Sequence, residues 1–138
     1  MEHWDAQLEQ RVWRRVRGEP EEGELLPELV GLSRQQAAEL KWVDRILYRQ
    51  ERQTLMLLEQ LLILSGGKVP TPGKVLPGNR EQRLRRCRER CGRMLQLMVT
   101  LEAHERYGAL FTELTRQQRA KCARLNVLAD TQPGIRRY

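Results

Sequence analysis

The chain has 138 residues, the size of one ordinary domain, and is long enough to bury a core without disulfides or a structural metal. Its 25 lysines and arginines outnumber its 18 aspartates and glutamates, and the net charge of +7 favours acidic partners without defining a function. Three cysteines do not make a disulfide framework, and the start of the chain is charged where a secretory signal is apolar, so we expect a cytoplasmic protein with free thiols.

Helix-forming residues dominate the sequence, and sustained alternation of apolar and polar residues, the pattern of strands, is nearly absent. We therefore predict an all-α protein. Residues 1–18 are expected to form an N-terminal amphipathic helix, with Leu8, Val12 and Val16 on one face and arginines around the other. Residues 19–27 follow as an acidic linker, because glycines and prolines interrupt them.

Two closely spaced helices are predicted next. The first begins near Pro27 or Ser33 and ends near Arg49, and the second extends from about Gln50 to Ser65. So little chain separates them that we expect antiparallel neighbours. The second helix holds the most apolar window of the chain, which is about half as long as the roughly 20 residues of a membrane span, so no membrane partner is expected.

A long connection follows at residues 66–79, where three prolines and four glycines exclude a helix. Fully extended, this segment reaches roughly 45 Å, more than the roughly 30 Å length of a helix of about 20 residues, so it can cross a whole bundle. Asn79 and Gln82 are predicted to form a capping box for the next helix. The last helix is predicted at residues 107–129, and residues 131–138 as a flexible tail.

The last helix carries two polar residues where its apolar stripe should face inward. Leu110, Leu114 and Leu125 follow helical spacing, and Gln118 and Lys121 occupy inward positions between them. Buried polar groups cost free energy unless they have partners. Either this face meets other polar side chains, or it is not buried.

The order of two close helices, one long crossover and two further helices makes residues 28–130 similar to the ferritin-like, rubrerythrin-like family of four-helix bundles. The resemblance implies a di-iron site built from one glutamate on each of two helices and a Glu-x-x-His pair on each of the other two. Aligned by its apolar stripes, this chain has ERQT and QRAK where the family has the two Glu-x-x-His pairs. The six corresponding positions are Ser33, Glu51, Thr54, Cys91, Gln118 and Lys121.

Only Glu51 among these six is the residue that the family pattern requires, so the resemblance implies a vestigial site without a metal and without catalytic residues. The ammonium of Lys121 has no free lone pair to offer a metal. We therefore predict an internal ion pair between Glu51 and Lys121, with the neighbouring polar positions satisfying the remaining donors and acceptors. The alternative places Lys121 at the edge of the stripe, with its ammonium in water.

The cysteines offer further candidate chemistry. Cys87 and Cys91 lie four residues apart on one helical face, and Cys122 or His104 could complete a zinc site with them. No Cys-x-x-Cys pair occurs in the sequence, however. We therefore favour a role for the cysteines as small apolar residues.

Two arginine-rich runs, at residues 11–17 and 83–90, could contact the phosphates of a nucleic acid. Glutamates are interspersed and aromatic residues make up only 5% of the chain, so we favour solvated helix faces for these runs. The N-terminal helix could equally lie across the bundle or form a homodimer contact.

The sequence thus favours a non-catalytic ferritin-like bundle that lacks a di-iron site and any other cofactor and acts as a binding or structural module. One alternative is a di-iron, rubrerythrin-type redox or metal-binding protein with a shifted ligand set, and the other is a basic nucleic-acid-binding module. The carboxylates available for a shifted set are Glu39, Asp44, Glu59, Glu102, Glu105 and Glu113.

Overall fold

The computed structural model describes residues 22–104 and 106–131, and within these ranges it is helical and contains no strand. Its four helices are α1 (Glu22–Leu40), α2 (Arg45–Leu64), α3 (Arg80–Glu102) and α4 (Gly108–Thr131). The predicted all-α class is confirmed. The predicted N-terminal helix, residues 1–18, and residues 132–138 of the predicted tail lie outside the described residues. None of the four helices combines the length and the apolar character of a membrane span.

The first helix begins earlier than the sequence predicts. Residues 22–27, expected as part of the acidic linker, form the first turns of α1, so that expectation is wrong for them. Pro27 lies inside the helix, where a proline costs about 3 kcal/mol. Leu25 and Leu26 are only 3% and 4% exposed, and burial of a leucine contributes about 1.5–3 kcal/mol. Their burial therefore offsets the cost of the proline.

The boundary between α1 and α2 also differs from the prediction. The sequence predicts a break near Arg49, but the chain turns at residues 41–44. Asp44 caps α2, because its backbone is extended, with φ −155° and ψ 121°, and its carboxylate accepts a hydrogen bond from the N–H of Leu47 at 3.1 Å. Val43 and Leu47 are both buried, so the apolar stripe continues through the turn and hides the break.

The start of α3 and the extent of α4 agree with the sequence. The side chain of Asn79 accepts a hydrogen bond from the backbone N–H of Gln82 at 2.8 Å, and the side chain of Gln82 accepts one from the N–H of Asn79 at 3.0 Å. The predicted capping box is therefore confirmed. The last helix, predicted at residues 107–129, extends over Gly108–Thr131.

Neighbouring helices run in opposite directions. α1 packs against α2 and α3, and α3 packs against α4. Along α1, Glu28 pairs with Arg93 and Glu39 pairs with Arg86, so α3 is antiparallel to α1. A turn of four residues reverses the chain between α1 and α2. Since both α2 and α3 are antiparallel to α1, they are parallel to each other.

The connection between α2 and α3 therefore travels the length of the helices. Arg80, at the start of α3, donates a hydrogen bond to the carbonyl of Val43 at 3.0 Å, in the turn that precedes α2. Arg34 donates to the carbonyl of Pro70 at 2.6 Å, and Arg86 donates to two carbonyls of the connection at 3.1 and 3.3 Å. These contacts from α1 and α3 hold the long connection that the prolines and glycines predict.

Two apolar clusters, each with residues from all four helices, form the interior. The first contains Leu25, Leu26, Leu29, Val30, Leu55, Leu58, Leu62, Met94, Leu97, Met98, Leu101, Phe111 and Leu114. The second contains Leu40, Val43, Leu47, Leu84, Cys87, Cys91, Leu125 and Ala129. Between them, along α1, α2 and α4, are buried polar residues that we call the polar layer: Ser33, Gln36, Glu51, Thr54, Thr115, Gln118 and Lys121.

The cap of α2 leads to a first prediction. We expect Asp44→Ala to lower the free energy of unfolding by about 1–2 kcal/mol, because it removes the helix cap. It also removes an ion pair, since Nε of Arg124 lies 2.9 Å from Oδ2 of Asp44. Urea unfolding at pH 7 measures the loss.

Asp44→Asn is the matched variant, because asparagine caps helices well but carries no charge. The hydrogen bond from Arg124 holds the pKa of Asp44 below its ordinary value of 3.8. A lowered pKa stabilises the folded protein while the carboxyl is ionised, and this contribution is lost as the pH falls through the folded-state pKa. The difference between wild type and Asp44→Asn should therefore shrink below pH 3.8. A constant difference from pH 7 to pH 2 would contradict this role of the charge.

Candidate functional site

α2 and α4 bring two opposite charges together inside the polar layer. Nζ of Lys121 lies 3.3 Å from Oε1 of Glu51, and the two side chains are 5% and 1% exposed. The predicted internal ion pair is confirmed, and the alternative with the ammonium in water is wrong. Glu51 is four residues from the buried Leu47 and Leu55, and Lys121 is four residues from the buried Leu125, so helical spacing turns both inward.

Two hydroxyl groups complete the hydrogen bonding of this pair. Oγ of Ser33 donates to Oε2 of Glu51 at 2.6 Å, and Nζ of Lys121 donates to Oγ1 of Thr54 at 2.9 Å. Each carboxylate oxygen therefore has a partner, and the ammonium has two acceptors. Transfer of two charges out of water is expensive, and good geometry with additional hydrogen bonds is what compensates for it.

Gln118 and Cys91 form a second polar contact, between α4 and α3. Nε2 of Gln118 donates to the carbonyl oxygen of Cys91 at 3.1 Å and lies 3.0 Å from its Sγ. Among the described residues, Oε1 of Gln118 and Oγ1 of Thr115 are buried side-chain atoms without a hydrogen-bond partner. An unpaired buried polar group costs about 1–3 kcal/mol, so the polar layer does not satisfy all of its own atoms.

The six positions aligned with family ligands thus fall into two groups in the structure. Ser33, Glu51, Thr54 and Lys121 form one hydrogen-bonded set, and Cys91 contacts Gln118. These residues do not fit a di-iron site. They include a single carboxylate and no imidazole, and the ammonium in contact with that carboxylate would repel a metal cation.

Three carboxylates of the shifted ligand set have other partners. Asp44 caps α2, and Glu59 lies 3.4 Å from a guanidinium nitrogen of Arg34. Glu113 is bound by the neighbouring Arg116, which holds the pKa of Glu113 near 2. Within residues 22–104 and 106–131, no three histidine, cysteine, aspartate or glutamate side chains are placed to hold a metal ion, whether iron or the zinc considered for the cysteines.

The sequence named Glu39 only among the carboxylates available for a shifted ligand set and did not indicate that it is buried. Its side chain is 2% exposed and accepts hydrogen bonds from Nε and Nη2 of Arg86 at 3.0 and 2.7 Å. Arg90 lies 3.3 Å and Arg83 3.7 Å from the same carboxylate. The run at residues 83–90 was expected to be a solvated face, and this expectation is wrong for the three arginines, which helical spacing turns toward α1. Their alignment at steps of three and four was the available signal.

Cys91 and Cys122 lie against each other between α3 and α4, with their Sγ atoms 2.7 Å apart. Cys91 is buried and Cys122 is half-buried. The hydrogen bond between the two thiols raises the pKa of Cys91 and lowers the pKa of Cys122. Burial raises the pKa of Cys87 to about 12 within the second apolar cluster. Cys87 packs as the small apolar residue that we expected of the cysteines. The contact between Cys91 and Cys122 was not predicted from the sequence.

A cleft of about 540 Å³ opens between α2 and α4 and reaches the polar layer. The amides of Gln50, Gln53 and Gln117 line it, together with Thr54 and Lys121. Its volume is within the roughly 300–1,000 Å³ of sites that bind small molecules. The cleft therefore offers amide donors and acceptors next to the buried ion pair.

No protein-family model, curated protein or solved structure matches this chain. The resemblance to ferritin-like proteins therefore stays a prediction, based on the order of the helices and on the six aligned positions.

The ion pair leads to a second prediction. We expect Lys121→Met to lower the free energy of unfolding by about 3–5 kcal/mol, because the carboxylate of Glu51 then stays buried without a cation. The double variant Glu51→Gln with Lys121→Met removes both charges and leaves an amide oxygen to accept the hydrogen bond from Ser33. It should recover most of the loss, because neutral replacements of a whole buried pair are well tolerated.

Urea unfolding of the wild type, the two single variants and the double variant at pH 7 gives the coupling energy of the pair. A double variant no more stable than Lys121→Met would show that lost packing, and not the unpaired charge, accounts for the effect.

Proposed function

We propose that this protein is a non-catalytic, ferritin-like four-helix bundle in which an ion pair occupies the place of the di-iron site, and that it acts as a binding or structural module. The observation that carries the proposal is the buried contact of Glu51 with Lys121, to which Ser33 and Thr54 are hydrogen-bonded.

The path of the chain supports the ferritin-like part of the proposal. Two helical hairpins, α1 with α2 and α3 with α4, are joined by one long connection between parallel helices. One long crossover of this kind characterises ferritin-like bundles. In addition, all six positions that the resemblance aligned with metal ligands are buried, from 0% exposure at Ser33 and Gln118 to 5% at Lys121.

The charges of the interior support the absence of di-iron chemistry. One carboxylate and one ammonium balance each other, so the pair needs no further cation to compensate for Glu51. Both oxygens of Glu51 are already hydrogen-bonded. A metal would have to displace Lys121 from the same carboxylate, and no imidazole is present at the aligned positions to complete its coordination.

The cleft between α2 and α4 supports a binding role. It leads from the surface to Thr54 and Lys121, and primary amides from both helices line it. In ferritin-like bundles the interior between helices is the place where cofactors are held. A ligand of this protein would accordingly approach the buried pair through the cleft and exchange hydrogen bonds with its amide groups.

The two alternatives receive less support. The di-iron alternative lacks a fitting donor set within the described ranges. For the nucleic-acid alternative, three arginines of α3 are already paired with carboxylates, Arg86 and Arg90 with Glu39 and Arg93 with Glu28. The other arginine-rich run, residues 11–17, lies outside the described residues.

Iron analysis gives a third prediction. Protein produced in medium with added iron and purified without chelators should contain far less than one iron per chain, because Lys121 neutralises the only aligned carboxylate. Elemental analysis measures the content. Near-stoichiometric iron would reject the proposed function in favour of the di-iron alternative.

A variant with the family ligands restored is the positive control. It carries Ser33→Glu, Thr54→His, Cys91→Glu, Gln118→Glu and Lys121→His. If the bundle is ferritin-like, this variant should gain binding of Fe²⁺ in anaerobic titrations, while the wild type shows none. Circular dichroism establishes that the variant is helical. A helical variant that binds no iron would count against ferritin-like geometry at these positions.

A further inference from the structure

Two thiols on neighbouring helices are placed to form a covalent bond. Sγ of Cys91 and Sγ of Cys122 are 2.7 Å apart, close to the roughly 2.05 Å of a disulfide bond. One turn away, Nε of Arg88 donates to Oδ1 of Asn126 at 3.1 Å, which links the same two helices. The two helices are therefore already held together beside the two thiols.

The two thiols differ in solvent exposure and in how readily each one ionises. Cys122 is half-buried, whereas Cys91 is 1% exposed. In the neutral pair Sγ of Cys122 donates to Sγ of Cys91. Once Cys122 ionises, its thiolate can only accept a hydrogen bond, and the S–H of Cys91 would then donate to it. The positive charge of Lys121 also favours this thiolate, and the negative charge of Glu51 opposes it. Cys122 is therefore the thiol suited to react first.

We propose that Cys122 and Cys91 form a peroxide-sensitive dithiol, in which Cys122 reacts with a small hydroperoxide and Cys91 closes a disulfide between α4 and α3. The proposal goes beyond the proposed function and does not depend on the ferritin-like assignment, because it concerns only two adjacent helices. A small oxidant is required, since Cys122 is only half-exposed and its partner is buried.

The chemistry balances in two steps. The Cys122 thiolate attacks one oxygen of the hydroperoxide, the O–O bond breaks, and the leaving alkoxide or hydroxide takes up the proton that the thiol released. Cys122 is then a sulfenic acid. The sulfur of Cys91 attacks the sulfur of Cys122, the S–O bond breaks, and the departing hydroxide combines with the Cys91 proton as water. The two sulfurs lose two electrons in total, and the hydroperoxide gains them.

The third cysteine provides an internal comparison. Cys87 packs in the second apolar cluster, with its Sγ 4.0 Å from Oε1 of Glu39, and its raised pKa keeps it a thiol. Cys87 lies four residues from Cys91 on the same helix. If oxidation alone decided which thiols pair, disulfides that contain Cys87 would form as well. If the distance between the sulfurs decides, they would not. The geometry assigns the bond to Cys91 and Cys122 alone.

The experiment treats the reduced, full-length protein with a small excess of hydrogen peroxide. Remaining thiols are then labelled with N-ethylmaleimide in denaturant and counted by intact mass. Three labels before oxidation and one label after are expected, with a linked peptide that joins Cys91 to Cys122. Cys87→Ser is the matched control and should fall from two labels to none. Cys122→Ser should keep both of its labels under the same conditions.

A second measurement separates the folded geometry from chance pairing. The same oxidation in 8 M urea removes the placement of the helices, so linked peptides that contain Cys87 should appear beside the Cys91–Cys122 peptide, because no pair of thiols is then held at a high effective concentration. Retention of three labels in the folded wild type, a linked peptide that contains Cys87 in the folded protein, or the same set of linked peptides in the folded and unfolded chains would each overturn the proposal.

Discussion

The buried contact between Glu51 and Lys121 constrains the alignment of the helices around it. An unpaired charge in this interior would cost several kcal/mol, so α2 and α4 have to place the two groups within bonding distance. Ser33 adds α1 to the same network. A shift of one helix along its axis would separate these groups and leave each charge buried without its partner. We therefore expect the polar layer to favour one register of the helices over others.

The buried carboxylate of Glu39 likewise links helices, at a different position in the bundle. The carboxylate of Glu39 on α1 forms ion pairs with Arg86 and Arg90 of α3. Arg86 also donates hydrogen bonds to carbonyls of the connection. One guanidinium thus joins a helix, its neighbour and the segment that crosses beside them. Glu51 aligns α1, α2 and α4, while Glu39 aligns α1, α3 and the connection, so the two networks share α1 and together include all four helices of the described residues.

The sequence predicted those features that depend on local pattern. Helical periodicity indicated the fold class, and Asn79 with Gln82 indicated a helix start. The pairing of Glu51 with Lys121 was predicted from the alignment with the ferritin-like ligand positions. The sequence prediction failed where packing against distant parts of the chain determines the structure. One example is the start of α1, where the burial of Leu25 and Leu26 keeps Pro27 inside the helix. Periodicity also shows which face turns inward without showing which side chain it meets. For this reason the partners of Glu39 and the contact of Cys91 with Cys122 could not be predicted.

The connection between α2 and α3 has a consequence for the order in which the molecule assembles. The hairpin of α1 with α2 and the hairpin of α3 with α4 contain contacts that are near in sequence, and such contacts form quickly. Glu39 and Arg86, by contrast, are 47 residues apart, and the chain between them must first close a loop. We therefore expect the two hairpins to form first, and the docking of one on the other to be the slower event that brings Glu39, Arg86 and the crossing segment into place.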